Sequence, residues 1–403
     1  MSHPVVIIGS GLAGYNVARE LRKLDAAVPL VVVSRDHAGF YSKPMLSNAL
    51  AGKKTAATLV MKTAEKMAAE LNAQVLANTA VASIDTTTQT IQLSSGDTLH
   101  YRDVVLALGA DPIRLPLEGN AADSVLSVND LDDFARFAQA LDTGANGQPV
   151  QRVAILGGGL IGCEFANDLL ARGIAPTVLD LADRALGRLL PPEGSAYLQG
   201  KLEALGAQFR FGVAAKAVSR SASGSGLVVT LSDGSELETD LVLSAIGLKP
   251  RTALALEAGL TVNRGVVVDQ TLQTSAPHVF AVGDLAEVTG LNLPGLNLPF
   301  VMPIMQQARA LAATLAGNPT KVAYPAMPVV VKTPACPTVV CPPAAGAAGQ
   351  WQVTQVEEGL EARFVAEGSG QLLGFALQGK ATSQRQALAG QVPALLPAAP
   401  AAP

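Results

Sequence analysis

Charged residues are scarce in this sequence: of 403 residues, 15% are Asp, Glu, Lys or Arg, whereas 49% are hydrophobic. Disorder driven by excess charge and coiled-coil structure, which carries charged heptads, are therefore both excluded for most of the chain. The formal net charge of −4 argues against a nucleic-acid binder. Uninterrupted apolar runs of about 18 residues are also lacking, so we expect no membrane-spanning helix.

Cysteine is also rare, with three residues in the chain, Cys163, Cys336 and Cys341. An odd, low number predicts a protein of the reducing cytoplasm and not a disulfide scaffold. The N-terminus lacks a basic region followed by a cleavage site, so we expect no export signal. The four histidines are scattered, and we predict no metal site. At about 100–200 residues per domain, the length indicates two to four domains.

One pattern occurs twice. Residues 5–14 read VVIIGSGLAG and residues 153–162 read VAILGGGLIG, each an apolar strand, a glycine turn and the start of a helix. Both copies contain G-x-G-x-x-G, formed by Gly9, Gly11 and Gly14 in the first and by Gly157, Gly159 and Gly162 in the second. The first glycine permits a tight turn, the second a close approach to a pyrophosphate, and the third close packing of helix on strand. Two dinucleotide sites are predicted.

The residue that follows the second strand of each unit bears on the choice of nucleotide. The predicted strand 176–180 ends at Asp180, whose carboxylate suits ribose hydroxyls and repels a 2′-phosphate, which favours NADH over NADPH. A solvated strand end remains the alternative interpretation of Asp180. In the first unit Ser34 follows strand 28–33 in place of the usual acid, with Asp36 two residues later. Farther along, Asp284 follows another apolar strand in a position suited to a ribityl hydroxyl.

Periodicity predicts the remaining elements and an α/β protein. The expected helices cover 13–24, 130–141, 160–172, 194–205 and 303–316, and the expected strands include 75–84, 91–94, 103–108, 152–156, 240–245, 265–268 and 278–282. Residues 319–380 are predicted to form a strand-rich domain. The Pro/Ala-rich segment 391–403 is predicted to be a mobile tail without chemistry.

Seven segments make the sequence resemble FAD-dependent reductases with two dinucleotide domains and, among these, the rubredoxin–NAD(+) reductase family. They are IIGSGLAGYN (7–16), YSKPMLS (41–47), YRDVVLALGA (101–110), GLIGCEFANDL (159–169), DLVLSAIGLKPRT (240–252), VFAVGDLAEV (279–288) and VKTPACP (331–337). The stretch LNLPGLNLP at 291–299 is longer than the family pattern. The resemblance implies two Rossmann-like domains, for FAD and NAD, and a small C-terminal α+β domain.

The same resemblance implies an FAD domain interrupted by the NAD domain. The expected boundaries are 1–115 and 246–318 for the two parts of the FAD-binding domain, 116–245 for the NAD-binding domain, 319–390 for the C-terminal interface domain and 391–403 for the tail.

The resemblance also assigns residues to the cofactors. For FAD these are Gly11, Leu12, Ala13 and Gly14 at the pyrophosphate, Ser34, Arg35 and Val81 at the adenosine, Lys43 and Glu164 near the isoalloxazine, Asp284 at the ribityl chain, and Val301 and Lys332 at the pyrimidine end. Gly9 and Gly109 are also expected among the FAD-binding residues. For NAD they are Gly157, Gly159, Leu160, Ile161, Gly162, Asp180 and Gly247.

Lys43 and Glu164 are the predicted catalytic residues, on the two sides of the nicotinamide pocket. If both are buried, we expect their charges to be paired, because an unpaired buried charge is costly. Cys336 and Cys341 have C-x4-C spacing but do not follow the first glycine loop, so we predict no redox disulfide. Cys163 is expected to be a packing residue.

The function implied is electron transfer from NADH through FAD to rubredoxin, which would supply a membrane alkane hydroxylase. Two alternatives remain open: an NADH-dependent ferredoxin reductase of a dioxygenase or P450 system, and a flavin-binding sensor without turnover. Rubredoxins are acidic, so the docking face is expected to be basic. The candidates are Lys43, Lys53, Lys54, Arg309 and Lys332.

Overall fold

Short, fully apolar strands form the centre of the molecule. Strand Val5–Ile8 reads VVII with all four residues buried, as expected for a parallel strand covered on both faces. The computed structural model describes residues 3–144, 147–222, 226–289 and 295–397.

The helices are α1 (Leu12–Leu24), α2 (Ala56–Leu59), α3 (Ala64–Leu71), α4 (Leu131–Thr143), α5 (Leu160–Ala171), α6 (Pro192–Glu203), α7 (Ala253–Glu257), α8 (Val301–Leu315) and α9 (Arg385–Ala389). Single 3-10 turns cover Lys43–Asn48, Ala122–Ser124, Gly283–Leu285 and Lys380–Gln384.

The strands are β1 (Val5–Ile8), β2 (Leu30–Val33), β3 (Gln74–Leu76), β4 (Val81–Asp85), β5 (Thr90–Leu93), β6 (Thr98–His100), β7 (Asp103–Leu106), β8 (Ala110–Pro112), β9 (Arg152–Leu156), β10 (Ala175–Asp180), β11 (Gln208–Phe211), β12 (Ala215–Arg220), β13 (Leu227–Leu231), β14 (Glu236–Thr239), β15 (Leu241–Ser244), β16 (Leu248–Pro250), β17 (Val266–Val268), β18 (Val279–Ala281), β19 (Ala286–Val288), β20 (Val329–Val331), β21 (Thr338–Cys341), β22 (Gly349–Val356), β23 (Gly359–Ala366) and β24 (Leu372–Gly379).

Two parallel sheets contain the two glycine turns. The first has the order β18-β7-β1-β2-β3, with β1 between β2 and β7 in the registers Val5↔Leu30 and Val5↔Asp103. The second has the order β11-β10-β9-β15. The predicted repeat of strand, glycine turn and helix is confirmed, because β1–α1 and β9–α5 occupy corresponding central positions in the two sheets.

The chain crosses between the two parallel sheets twice, and the crossings pair with each other. β8 on the way out and β16 on the way back form an antiparallel ribbon with Asp111 opposite Lys249. β18 then joins the first sheet beside β7, so the first unit resumes after the second. This is the interrupted arrangement that the resemblance implied.

The C-terminal part is an antiparallel sheet of order β20-β21-β24-β23-β22, followed by the short helix α9. The predicted α/β fold with a small C-terminal α+β domain is therefore confirmed. In the part of the chain that the structure describes, no helix is long and apolar enough to cross a bilayer.

Two predictions about local structure were wrong. The single strand expected over 75–84 is two strands in different sheets, because Asn78 turns the chain with a φ of +51° between β3 and β4. The start of the segment 391–403 is not a free tail: Leu396 is buried and exchanges two backbone hydrogen bonds with Tyr324. Residues 398–403, and residues 291–294 of the stretch 291–299, lie outside the described residues.

Candidate functional site

The first glycine turn leaves space where a phosphate would lie and none elsewhere. Gly9 has a φ of +119°, and a Cβ on it would lie 2.3 Å from the carbonyl oxygen of Ala107. A Cβ on Gly14 would lie 2.0 Å from the carbonyl oxygen of Gly9, so α1 packs on the turn itself. At Gly11 a Cβ would meet nothing within 4 Å, and no side chain caps the helix that begins at Leu12. A helix N-terminus of this kind binds phosphates.

The second glycine turn has the same geometry. A Cβ on Gly162 would lie 1.9 Å from the carbonyl oxygen of Gly157, whereas Gly159 faces open space. Asp180 Oδ2 accepts a hydrogen bond from the Gly158 N–H at 2.5 Å. The carboxylate predicted to bind ribose is thus held against the turn that would carry the pyrophosphate. Leu160 and Ile161 begin α5, and Gly247 follows β15 with a φ of +124°.

Ser34 is part of a polar cluster that the sequence pattern only partly predicted. Its hydroxyl lies 2.7 Å from that of Ser10 and donates to Asp36 at 2.6 Å. Burial raises the pKa of Asp36, but hydrogen bonds from Ser34 and the Ala38 N–H hold it below its usual value. β2 ends at Val33, so Asp36 lies two residues beyond Ser34, which occupies the usual position of the acid. Sequence reasoning noted Asp36 but placed the contact on Ser34.

Arg35 directly follows Ser34 in the sequence. Val81 lies two residues after Thr79, whose N–H donates to the Ser34 carbonyl. The Arg35 guanidinium is exposed and lies 3.9 Å from the Asp111 carboxylate. Val81 is half-buried at the start of β4. Arg251 donates to the same Asp111 carboxylate at 2.6 Å and to the Leu108 carbonyl, next to Gly109. Arg251 was quoted only as part of a motif, and its link to Asp111 could not be inferred from separation along the chain.

The Gly283–Asp284 turn reaches the N-terminus of α1. Gly283 has a φ of +77°, and a Cβ on it would lie 2.8 Å from the Cβ of Ala13. Its N–H donates to the Gln307 side chain at 2.7 Å. Helix α8, which contains Gln307, begins at Val301 without a side-chain cap. Val301 is 42% exposed and Met302 is 44% exposed, so the first turn of α8 presents apolar side chains at the surface.

Lys43 and Glu164 form no ion pair with each other, and the expectation of pairing held only if both were buried, which is not the case for Lys43. Glu164 is fully buried, and its carboxylate accepts from the Ser47 hydroxyl at 2.5 Å and from the Lys332 N–H at 2.9 Å. The Lys332 ammonium forms the ion pair with Glu164. The pairing differs because α5 lies against both the 3-10 turn 43–48 and the loop after β20.

Lys43 is instead partly buried at the start of that 3-10 turn. Burial lowers the pKa of Lys43, and the nearby Asp284 carboxylate opposes this shift. The two residues predicted for different parts of the flavin site, Lys43 and Asp284, are therefore electrostatic neighbours.

Helix α5 carries two further polar contacts that sequence reasoning missed. Asp168 accepts from the N–H groups of Leu50 and Ala51, each at 2.8 Å, and Asn167 accepts from the Ala335 N–H at 3.0 Å. Asp168 is buried, which raises its pKa. Together with Glu164 they occupy positions i, i+3 and i+4, one face of a helix. The spacing of the polar residues in EFAND (164–168) was the sequence signal that could have revealed these contacts.

The arrangement fits a bound FAD. Gly11 and Gly109 both face open space, and the side-chain oxygens of Asn48 and Asn129 are buried without a hydrogen-bond partner among the described residues. Asn48 ends the 3-10 turn that begins at Lys43, and Asn129 donates to the Ala110 carbonyl beside Gly109. Buried acceptors without partners at such a position are typical of a site that a polar ligand completes.

The three cysteines, Cys163, Cys336 and Cys341, are unpaired and buried. Burial raises the pKa of Cys163 to about 12 and that of Cys341 to about 11, and it also raises the pKa of Cys336. Thiols of this kind are poor nucleophiles at neutral pH. Cys163 packs in a hydrophobic core, as expected.

Comparison with known proteins agrees with this geometry. Residues 3–312 match the pyridine nucleotide-disulphide oxidoreductase family model, and residues 321–392 match the rubredoxin binding C-terminal domain. The chain is 49% identical to the rubredoxin-NAD(+) reductase of Alcanivorax borkumensis, covering 98% of this chain and 100% of the relative. It is 45% identical to that of Acinetobacter baylyi, covering 98% and 99%.

Among solved structures, the ferredoxin reductase for the CYP199A2 system from Rhodopseudomonas palustris superposes with a TM-score of 0.86 at 28% identity, covering 97% of this chain and 96% of that one. The chain therefore belongs to the pyridine nucleotide-disulphide oxidoreductase family. Within it, the chain is of the rubredoxin-NAD(+) reductase type, an NADH-dependent flavoprotein reductase with FAD as its cofactor.

Proposed function

We propose that this reductase passes electrons from NADH through FAD to rubredoxin. The observation that carries the proposal is the match of residues 321–392 to a rubredoxin binding domain, in a chain whose Lys332 reaches from that region to Glu164. The bound FAD supplies the chemistry of taking an electron pair from NADH and releasing electrons singly. The polypeptide binds and orients the reactants and keeps water from them.

Each predicted residue has a proposed role in holding FAD. Gly9, Gly11, Leu12, Ala13 and Gly14 bind the pyrophosphate, Ser34, Arg35 and Val81 contact the adenosine, Gly109 approaches the isoalloxazine, Asp284 binds the ribityl chain, and Val301 and Lys332 lie at the pyrimidine end. The open space at Gly11 and the exposed Val301 support these assignments.

The NADH site is proposed at the second glycine turn. Gly157, Gly159, Leu160, Ile161 and Gly162 bind the pyrophosphate, Asp180 the ribose, and Gly247 lies beside the nicotinamide. Lys43 and Glu164 are proposed to line the nicotinamide pocket, Glu164 with its charge balanced by Lys332. The domain boundaries 1–115, 116–245, 246–318 and 319–390 remain part of the proposal.

A stopped-flow experiment tests the proposed acceptor. The protein is first titrated anaerobically with NADH, and bleaching of the flavin absorbance is expected. The reduced protein is then mixed with purified rubredoxin or with a [2Fe–2S] ferredoxin. Faster electron transfer to rubredoxin is expected. Faster reduction of ferredoxin would instead favour the alternative of a ferredoxin reductase, which the similarity to the Rhodopseudomonas palustris protein supports. Failure of NADH to bleach the flavin would indicate a sensor without turnover.

The docking face is proposed to be basic, because rubredoxins are acidic. Of the candidate cations, Lys53, Lys54 and Arg309 are exposed, whereas Lys43 is partly buried and Lys332 is paired with Glu164. Reversing two charges with Lys53→Glu and Lys54→Glu is expected to slow rubredoxin reduction about tenfold at low salt, with a smaller effect at high salt. Lys216→Glu, on the exposed edge strand β12, is the matched control.

We further propose that the rubredoxin supplies a membrane alkane hydroxylase and that the reductase acts in the cytoplasm. The three unpaired cysteines suit a reducing compartment. Deletion of the coding gene in an alkane-degrading host tests the first point. The deletion strain is expected to lose growth on alkanes and to keep growth on the corresponding fatty acids.

A further inference from the structure

The end of the described chain returns to the first parallel sheet. Tyr324 and Leu396 are both buried in the hydrophobic core of that sheet, with Leu395 packed against it. The Tyr324 N–H donates to the Leu396 carbonyl at 2.7 Å, and the Leu396 N–H donates to the Tyr324 carbonyl at 3.0 Å. Residues 395–397, here called the strap, are therefore fixed to Tyr324 by paired hydrogen bonds and by packing.

Tyr324 connects the strap to the Gly283–Asp284 turn, here called the FAD-binding loop, through the side chain of Gln307. Its hydroxyl accepts a hydrogen bond from Gln307 Nε2 at 2.8 Å. The other end of the same amide, Gln307 Oε1, accepts from the Gly283 N–H at 2.7 Å. Because the Gly283 N–H can only donate, it fixes Gln307 Oε1 toward the turn, and the Tyr324 hydroxyl holds the Nε2 end of the same amide.

Gly283 has little freedom once this bond is formed. On its other side lies Ala13 of α1, 2.8 Å from the position of a Gly283 Cβ. The glycine and the following Asp284 are thus held between the α1 N-terminus and Gln307. The hydrogen-bonded series from Tyr324 through Gln307 to Gly283, here called the relay, is buried: Gln307 is 1% exposed and Tyr324 is 0% exposed. Buried hydrogen bonds of this kind are costly to break.

We infer that the strap orders the FAD-binding loop through Tyr324 and Gln307, which makes both of them positioning residues for FAD. The inference rests on the proposed FAD site beside the Gly283–Asp284 turn. It assigns a role to a segment whose composition suggests a free tail, and it connects the C-terminal end of the described chain to the cofactor.

The test measures the FAD dissociation constant of the full-length apoprotein by fluorescence quenching. Tyr324→Phe keeps the ring and the backbone pairing but removes the hydroxyl, and FAD affinity is expected to fall about fivefold. Tyr101→Phe is the matched control, because Tyr101 is an equally buried tyrosine whose hydroxyl donates to the Asp85 carbonyl instead. Affinity for NADH, at the other sheet, is expected to stay unchanged in both variants.

The relay itself is tested by a double-mutant cycle. If Tyr324 acts through Gln307, then Tyr324→Phe adds no further loss of FAD affinity in a Gln307→Leu background. Additive losses would overturn the relay. Leu396→Pro removes the N–H that pairs with Tyr324 and is expected to weaken FAD binding as Tyr324→Phe does. Ala394→Pro, at the exposed residue just before the strap, is expected to leave FAD binding unchanged.

Two outcomes separate this inference from the proposed function. If Asp284→Asn weakens FAD binding while Tyr324→Phe lowers only the urea midpoint of the apoprotein, Tyr324 is merely structural and the strap inference is overturned. If Tyr324→Phe weakens FAD binding while Asp284→Asn does not, the strap inference stands, and the proposed role of the Asp284 carboxylate fails.

Discussion

At the residue scale, we expect the choice of nucleotide to depend on Asp180. Its Oδ2 accepts from the Gly158 N–H at 2.5 Å and its Oδ1 from the Ala182 N–H at 2.7 Å, so the negative charge is fixed beside the glycine turn. A fixed carboxylate accepts hydrogen bonds from ribose hydroxyls and repels a 2′-phosphate. The next residue, Leu181, is 71% exposed and free to be replaced.

Asp180→Ala combined with Leu181→Arg is expected to raise the ratio of kcat/KM for NADPH to that for NADH by at least about tenfold, because like-charge repulsion is replaced by attraction. Steady-state rates with both nucleotides at a saturating electron acceptor measure the ratio. Asp233→Ala, in an exposed turn, serves as a control. An unchanged ratio in the double variant would mean that the 2′-position of the nucleotide's adenosine ribose does not lie beside residues 180 and 181.

Single residues also mark where sequence reasoning stops. Residue types were predictable: Glu164 in the helix after the second glycine turn and Lys332 in VKTPACP were both recognised. Their pairing was not, because it joins positions 168 residues apart that meet only in the folded chain. The unpaired side-chain oxygens of Asn48 and Asn129 carried no sequence signal, since asparagine is common in loops.

At the element scale, the strand–turn–helix unit contains two glycines with opposite requirements. A Cβ on Gly14 would lie 2.0 Å from the Gly9 carbonyl oxygen, whereas a Cβ on Gly11 would meet no protein atom within 4 Å. Gly14→Ala is therefore expected to destabilise the apoprotein by about 3 kcal/mol or more, since backbone must move. Gly11→Ala is expected to keep the apoprotein stability and weaken FAD binding at least about tenfold.

Urea unfolding of the two apoproteins and FAD titration check this pair of predictions. Gly52→Ala supplies the control, because a Cβ there would make only ordinary contacts, the nearest at 3.6 Å. Wild-type FAD affinity in Gly11→Ala would show that the pyrophosphate does not approach this turn.

The β8–β16 ribbon predicts a pH dependence. Burial raises the pKa of Asp111, but the Arg251 guanidinium hydrogen-bonded to it holds that pKa below its usual value. A carboxyl group whose pKa is lower in the folded state stabilises the fold above its unfolded pKa, about 3.9, and loses this effect as the pH falls through the folded value. Asp111→Asn is expected to lower the free energy of unfolding by under about 1 kcal/mol at pH 7, because Asp111 is half exposed.

The difference between Asp111→Asn and the wild type is expected to disappear as the pH falls below about 3, where the wild-type carboxyl group is protonated too. Urea unfolding at pH 7 and at the lowest pH where the protein folds measures it, with Asp123→Asn in an exposed turn as the control. A difference that grows toward low pH would contradict the sign of the effect.

Whole elements were predictable where the pattern was strong. Both glycine turns and the helices that follow them came from apolar runs and spacing, which depend on local backbone chemistry. The division of 75–84 between two sheets did not, because Asn78 can continue a strand or turn it, and tertiary pairing decided. The attachment of Leu396 to Tyr324 was likewise hidden by a Pro/Ala-rich composition that usually indicates mobility.

At the scale of the molecule, α5 joins three parts of the chain. Its N-terminus belongs to the second glycine turn, and its face carries Glu164, Asn167 and Asp168. These side chains hold the segment 47–51 after Lys43 and the segment 332–335 of the C-terminal region. The same helix therefore positions the second glycine turn, which is the proposed NADH site, and the segment after Lys43. Loss of one of these contacts is expected to shift the two relative to each other.

Asp168 offers the cleanest test of this coupling, because its carboxylate accepts its hydrogen bonds from backbone N–H groups, those of Leu50 and Ala51. Asp168→Ala leaves the buried Leu50 N–H without its acceptor, and we expect the free energy of unfolding to fall by about 2 kcal/mol. Because the segment after Lys43 then loses its anchor, reduction of the flavin by NADH is expected to slow about tenfold, while the separate affinities for FAD and NADH are retained.

Urea unfolding, titration of each nucleotide and anaerobic stopped-flow reduction measure the three quantities. Glu238→Ala is the control, since its carboxylate is 71% exposed and pairs with Arg152, outside α5. It is expected to change stability by under about 0.5 kcal/mol. A variant of Asp168 that loses stability but keeps the wild-type rate of flavin reduction would mean that α5 holds the domains together without setting the distance between nicotinamide and flavin. A slower rate at unchanged affinities would instead locate part of the catalytic geometry in the C-terminal half of this helix.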